Sequence, residues 1–185
     1  VFLQNAKIVN VGEVKEIISQ YLQSNNGLFF EKDLRDIKRE GKNGKDAIIT
    51  SLKILNSKLE KSNSIFFGED FSFEISSIVK TSNIKSAVFG VRFEDENENY
   101  ILSTLSSDVN IFYDINNQSE TIARVKIDVR LVPGKYYLTL SIRKDNLFID
   151  QLRRIAILEI LNIPYEKVKP HNGTWGFIQI YPEWA

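Results

Sequence analysis

Hydrophobic and polar residues alternate along eight short segments between residues 47 and 181 of this chain. In one of them, the apolar side chains of Tyr136, Leu138, Leu140 and Ile142 alternate with more polar neighbours. A period of two places successive side chains on opposite faces of a strand, so each segment is expected to bury one face and expose the other. The predicted strands are residues 47–55, 70–79, 87–93, 100–105, 122–131, 136–142, 155–161 and 175–181.

Short strands separated by turn residues, without a βαβ rhythm, predict an all-β fold. We predict an immunoglobulin-like antiparallel β-sandwich over residues 46–185. A core of about 140 residues is large enough to be stable without disulfides.

The first 45 residues follow a different pattern. Residues 7–11 are expected to be extended, Gly12 to form a turn, and residues 13–22 to form a helix with one apolar stripe. This strand-turn-helix, residues 1–23, has the character of the end of another domain. Residues 24–45 contain two Gly/Asn-rich patches and are predicted to form a linker.

Composition and charge narrow the function classes. The 185 residues carry 24 basic and 24 acidic side chains, whereas a nucleic-acid partner would call for a basic surface. No apolar run approaches the roughly 20 residues that span a bilayer, and no signal peptide is recognisable. Cysteine is absent, which fits a reducing compartment. Methionine is absent even at position 1, so we expect this chain to be a fragment or a trimmed form of a longer protein.

Candidate catalytic and metal motifs are incomplete. Residues 41–45 have two residues between their glycines, where a phosphate-binding loop needs four. Asp95, Asn97 and Asn99 have calcium-loop spacing but lack the glycine that should follow, so a polar hairpin turn is favoured. His171, the only histidine, has no partners for zinc or for a catalytic triad. We therefore expect no enzyme activity, cofactor or metal. Two convergent carboxylates of a glycosidase or lyase remain a minor alternative.

One strand face has the composition of a sugar-binding surface. Tyr137, Thr139, Ser141 and Arg143 alternate on the outward face of their strand, and an immunoglobulin-like pairing would place Gly90 and Arg92 beside them. An aromatic ring can pack on sugar C–H groups, while planar polar side chains bind hydroxyls. The predicted carbohydrate-binding residues are Arg92, Tyr137, Thr139, Ser141 and Arg143. An ordinary half-exposed tyrosine at position 137 is the alternative interpretation.

Several motifs in order resemble one known family. They are residues 5–12 followed by 14–21, residues 44–54, Phe67-Gly68-Glu69 before an alternating strand, residues 131–136 (Leu-Val-Pro-Gly-Lys-Tyr) before Leu138, Leu140 and Ile142, and residues 176–184. Together they are similar to the C-terminal carbohydrate-binding domain of the ATPase subunit of polysaccharide (O-antigen) ABC exporters, of the Wzt type. The likeness extends over nearly the whole chain.

The resemblance implies a sandwich that binds a lipid-linked polysaccharide at the cytoplasmic side of the bacterial inner membrane, before export. It also implies a homodimer, because the exporter carries two ATPase subunits, and a membrane-embedded exporter subunit as partner through the ATPase domain. Residues 1–23 would be the end of that ATPase domain. The Walker A, Walker B and signature motifs are missing, so this fragment is not expected to hydrolyse ATP. A purely structural or dimerising domain of the same subunit is the alternative function.

Overall fold

A computed structural model describes residues 2–4, 7–11, 31–166, 168–169 and 176–178 of the chain. Nearly all regular structure in these residues is β-strand, as the alternation predicted, with one short 3₁₀-helix at Ser106–Val109. The strands are β1 (Phe2–Gln4), β2 (Lys7–Asn10), β3 (Glu31–Asp33), β4 (Ala47–Leu55), β5 (Ser64–Phe67), β6 (Phe71–Val79), β7 (Ile84–Glu94), β8 (Tyr100–Leu105), β9 (Tyr113–Ile115), β10 (Thr121–Ile127), β11 (Gly134–Lys144) and β12 (Leu147–Pro164).

Two sheets form the predicted sandwich. The four-stranded sheet has the order β10-β6-β4-β3, and the six-stranded sheet has the order β5-β12-β11-β7-β8, with β9 also paired to β7. All pairs are antiparallel except β12 with β5, which are parallel. The separate pair β1–β2 includes the extended segment predicted at residues 7–11. The helix predicted at residues 13–22 lies outside the described residues.

The core lies between the sheets and contains many of the residues that the period of two placed inward. On β11 these are Tyr136, Leu138, Leu140 and Ile142, all buried. The rings of Phe73 on β6 and Phe93 on β7 meet across the core, with centroids 5.8 Å apart. Burying each large apolar side chain contributes about 1.5–3 kcal/mol relative to exposure, which is why the alternation is a strong determinant of the fold.

The segment predicted as a linker, residues 24–45, is in part integral to the sandwich. Glu31–Asp33 adds to β4 as an edge strand, and Leu34 is fully buried in the core. The Arg39 guanidinium donates to the carbonyl of Ile49 (2.7 Å) and approaches the buried carboxylate of Asp150 on β12 (3.5 Å). Asp150 also accepts the Ile49 N–H across the sheets (2.8 Å). The sequence did not predict that this segment is attached to the sandwich, because it has few apolar positions and is held largely by polar groups. The assignment of residues 1–23 to an ATPase domain stays a prediction.

The hairpin of β11 and β12 is longer than predicted. Its turn residues Asp145 and Asn146 both have positive φ (49° and 63°), as the tight turns that match strand twist require. β12 extends to Pro164, and its register shifts near Arg154, whose φ is also positive (47°). This bulge and the two arginines at 153 and 154 broke the alternation, so only residues 155–161 were recognised. Of the strand predicted at 175–181, residues 176–178 are described, and Ile178 bridges to Leu131.

No helix in the described ranges is long and apolar enough to cross a membrane.

Candidate functional site

The predicted sugar-binding residues share the outer face of the six-stranded sheet. In the register, Thr139 on β11 is opposite Arg92 on β7, and Ser141 is opposite Gly90 on β7 and Gln151 on β12. Four of the five predicted residues, Arg92, Thr139, Ser141 and Arg143, line one cleft of about 200 Å³. Tyr137 is two residues from Thr139 on the same face but is not part of the lining. The cleft also contains Tyr100, Ser103 and Gln151.

Gly90 forms the floor of this cleft. A Cβ atom at this position would lie 2.7 Å from both the Ser141 Oγ and a methyl carbon of Leu105. Carbon and oxygen atoms do not approach this closely without displacement, so a side chain here would have to push its neighbours into the cleft. The glycine therefore gives the cleft its depth between β8 and β11.

A buried carboxylate organises one end of the face. Glu94 on β7 is only 4% exposed, and its Oε1 accepts hydrogen bonds from the Arg92 Nε (2.9 Å) and the Thr139 hydroxyl (2.9 Å). Its Oε2 lies 3.5 Å from an Nη of Arg154, and that nitrogen also donates to the Asp95 carbonyl (3.0 Å). Because a buried charge is stable only when paired and hydrogen-bonded, this network fixes both arginines in place.

Three arginines on this face each stack on an aromatic ring. The guanidinium carbon of Arg92 lies 4.1 Å from the Tyr100 ring centroid, that of Arg143 lies 4.4 Å from Phe148, and that of Arg154 lies 3.8 Å from Tyr137. A cation over an aromatic face is attracted by the ring quadrupole and keeps the planar guanidinium in a fixed orientation. The cleft is therefore bordered by pre-oriented hydrogen-bond donors.

The outward face of β11 is less exposed to solvent than the alternation predicted. Thr139 is 3% exposed and Ser141 5% exposed, because β11 is a central strand and longer side chains on β7 and β12 cover its small residues. The Thr139 hydroxyl is committed to the protein, since it donates to Glu94 and accepts the Arg154 N–H (3.0 Å). The Ser141 and Gln151 side chains form no hydrogen bond with any residue in the described ranges.

Sequence reasoning missed six residues of this site: Glu94, Tyr100, Ser103, Leu105, Gln151 and Arg154. The signal for Glu94 was present, because it continues the alternation of Gly90 and Arg92, and Tyr100 is opposite it on β8. No signal marked Arg154, whose position depends on the bulge in β12. Gln151 lies before residue 155, where the predicted strand begins, so no strand face was predicted for it.

The other candidate motifs have structural explanations or fall outside the description. The Asp95 carboxylate accepts N–H bonds from Asn97 and Asn99 (both 2.8 Å) in the turn between β7 and β8, and a hydrogen bond from the Asn99 side chain lowers the pKa of Asp95. The predicted polar hairpin turn is therefore confirmed. Among described residues, no group of three or more His, Cys, Asp or Glu side chains could hold a metal. His171 lies outside those residues.

A larger cleft, of about 490 Å³, lies elsewhere on the molecule. Its lining combines acids and bases, including Asp70, Arg130, Glu166 and Lys169. Tyr165 there is held by Ser57, its hydroxyl 2.9 Å from the Ser57 Oγ, and it stacks on Phe66 with ring centroids 6.5 Å apart. The smaller cleft on the six-stranded sheet has the stronger character of a binding site, since it combines buried polar groups with arginines that have fixed orientations.

The comparisons with known proteins agree with the fold. A model of the Wzt C-terminal domain family matches residues 39–180. The crystal structure of the C-terminal domain of Wzt is similar to 83% of this chain and 95% of its own, with 16% identity and a TM-score of 0.65.

A putative beta-galactosidase from Bacteroides fragilis has a TM-score of 0.40 at 10% identity, over 55% of this chain and 15% of that one. No curated protein matches the sequence. At 16% identity the Wzt structure shows the fold, whereas the family match extends over more than half of the chain and confirms the resemblance found in the sequence. The chain belongs to the Wzt C-terminal domain family.

Proposed function

We propose that this chain is a non-catalytic polysaccharide-binding domain of an ABC-transporter ATP-binding subunit. It recognises a lipid-linked O-antigen or similar glycan for export across the inner membrane. Family membership supports this, since the family is associated with polysaccharide ABC exporters. The parent subunit acts at the inner face of that membrane, and its ATPase domain contacts the membrane-embedded exporter.

The observation that carries the proposal is the cleft on the outer face of the six-stranded sheet. Sugar sites combine apolar surface with a few fixed hydrogen-bonding groups. Tyr100 supplies an aromatic surface, Ser141 and Gln151 supply polar groups that form no hydrogen bond within the described structure, and Arg92 and Arg143 supply oriented guanidinium groups. The cleft therefore matches sugar rings on one side and hydroxyl groups on the other.

The binding step needs no chemistry at the glycan. Tyr100 and Leu105 would contact the C–H faces of a sugar residue, while Ser141 and Gln151 would exchange hydrogen bonds with its hydroxyls. Arg92 stays positioned by Glu94 and contributes the remaining edge of its guanidinium. A single cleft of about 200 Å³ accommodates only part of a polymer, so a modest affinity is expected from one domain. Two copies in a homodimer would raise the avidity without a tighter single site.

The proposal is tested by titrating the protein with the polysaccharide of its own source organism, using isothermal calorimetry. Gly90→Val is the matching variant, because it fills the cleft without changing charge, and it is expected to abolish binding. Ser72→Val is the control, since it adds apolar bulk on the outer face of the opposite sheet. A dissociation constant of about 1 mM corresponds to a binding free energy of about −4 kcal/mol. Absence of binding at about millimolar protein and glycan would contradict the proposal. A stable dimer that binds no glycan would instead favour the structural, dimerising alternative.

A further inference from the structure

One arginine of the cleft has no counter-charge in the described structure. Arg92 and Arg154 share the Glu94 carboxylate, whereas Arg143 forms no ion pair or hydrogen bond with any residue in the described ranges. Its Nε is shielded from water and unpaired. Within the part of the chain that the structure describes, its partner is the ring of Phe148, which is 42% exposed at the far end of the face.

The side chains around Arg143 do not compensate this charge. The residues that line the cleft include two arginines and no aspartate or glutamate. Glu94 lies at the opposite end of the face, where its two oxygens are occupied by Arg92, Thr139 and Arg154. The larger cleft differs in this respect, because Asp70 and Glu166 line it together with Arg130 and Lys169.

A partly buried guanidinium without a counter-ion is costly in free energy, and the cost is relieved when an anion binds. Stacking on Phe148 holds the guanidinium plane, so its N–H groups project as a fixed fork. This fork matches the two oxygens of a carboxylate or phosphate, to which it donates two parallel hydrogen bonds. The neutral side chains of Ser141 and Gln151 beside it suit the hydroxyls on the same sugar residue.

We propose that the cleft selects a glycan that carries an acidic substituent, and that Arg143 binds its oxyanion. The substituent is a carboxylate of an acidic sugar or a phosphate ester on a sugar, which present the same oxygen fork. Arg143 is then the specificity-determining residue of the cleft. This inference rests on the proposed polysaccharide-binding function and narrows it to acidic glycans.

The first test changes the glycan and leaves the protein intact. The polysaccharide of the source organism is used in three forms: native, carboxyl-reduced to neutral sugars, and treated with aqueous hydrofluoric acid to remove phosphate esters. We expect one of the two treatments to weaken binding at least about tenfold, since hydrogen bonds to charged groups are among the stronger ones. The treatment that does so distinguishes a carboxylate from a phosphate.

The second test changes the protein. Arg143→Gln is expected to lower the affinity for the native glycan about tenfold or more and to abolish the difference between native and treated glycan. Arg143→Lys keeps the charge but loses the forked pair of N–H donors. Its affinity for the native glycan is expected to lie between the affinities of the wild type and of Arg143→Gln. Lys144→Gln removes the same charge from the neighbouring exposed position and should leave the affinity unchanged within about twofold. Melting curves confirm that each variant is folded.

The outcomes separate the two proposals. If the native and both treated glycans bind equally, the acidic-glycan inference is overturned and the polysaccharide-binding function stands. Equal losses in Arg143→Gln and Lys144→Gln would also overturn it, because they would indicate a general charge effect. If no form of the glycan binds to the wild-type protein, both proposals fail together.

Discussion

The outer faces of the two sheets use similar residues in different ways. On the four-stranded sheet, Glu74 receives Arg124 at 2.7 Å and Lys53 at 3.4 Å, and Asp70 pairs with Lys126 at 2.6 Å. The two basic groups on the edge strand β10 are largely exposed, with side-chain exposures of 68% for Arg124 and 64% for Lys126. On the six-stranded sheet, one nearly buried carboxylate holds two arginines, while a third arginine has no acidic partner among the residues that the structure describes.

This difference separates a solvated surface from a candidate binding surface. Exposed ion pairs neutralise each other in water and contribute little to stability or specificity. Charges that are withdrawn from water keep their strength and their orientation, because the surrounding protein screens them less. Functional sites commonly concentrate such groups. The comparison therefore predicts large effects of substitution on the six-stranded sheet and small ones on the four-stranded sheet.

The largest effect is expected for Glu94→Gln. This substitution preserves the shape of the side chain but leaves Arg92 and Arg154 without their counter-charge. We expect the free energy of unfolding to fall by about 3 kcal/mol, the lower end for a broken buried ion pair, because both arginines are partly exposed. Urea denaturation measures the change. A loss below about 1 kcal/mol would mean that water screens this face as it does the other one.

A smaller loss is expected for Thr139→Val, which replaces the buried hydroxyl by a methyl group of similar size. The backbone N–H of Arg154 then loses its acceptor, and the Glu94 carboxylate loses one of its donors. Leaving buried polar groups unpaired costs about 1–3 kcal/mol. Thr139→Ser keeps the hydroxyl and serves as the matched control in the same denaturation experiment. If Thr139→Val loses no more stability than Thr139→Ser, the hydroxyl contributes no more than the methyl group, and the expected role of its hydrogen bonds is contradicted.

The sequence alone predicted the sandwich and the face but not this division of charge. The alternation at Phe89, Val91 and Phe93 requires only that every second side chain reaches a core, so it could be recognised without tertiary information. The same reasoning placed Thr139 and Arg143 outward, and their face is correct. Whether an outward residue is buried depends on the neighbouring strands, which the alternation within one strand does not contain.

The parts that sequence reasoning missed depend on long-range or irregular geometry. The short strand Ser64–Phe67 is recognised through its parallel pairing with β12, about 95 residues later in the chain. Arg154 reaches Glu94 from a bulge with positive φ, which no hydrophobic period predicts. Arg39 and Asp150 anchor the segment before β4 through an ion pair that joins distant positions. In each case the partner residue, and not the local pattern, determines the structure.

A substitution on the four-stranded sheet provides the contrast. Glu74→Gln removes the charge that pairs with Arg124 and Lys53. We expect the free energy of unfolding to fall by less than about 1 kcal/mol, because Arg124 is largely exposed and water screens its charge. Adding about 0.5 M salt should reduce even this difference, because it screens solvated charges. The measurement is again urea denaturation, beside Glu94→Gln in the same buffer. A loss as large as that of Glu94→Gln would remove the distinction between the two faces.

The smallest expected effect is the pH dependence of that same pair. The hydrogen bond from Arg124, aided by Lys53, holds the pKa of Glu74 below its ordinary value of 4.5. The folded state therefore binds this proton less readily than the unfolded chain, and the stabilisation is complete above pH 4.5 and lost as the pH falls through the lowered pKa. The stability difference between wild type and Glu74→Gln should accordingly shrink toward zero below pH 4.5. A difference that is constant across the acidic range would show that Glu74 stabilises the sheet by packing, and the four-stranded face would then owe nothing to its charges.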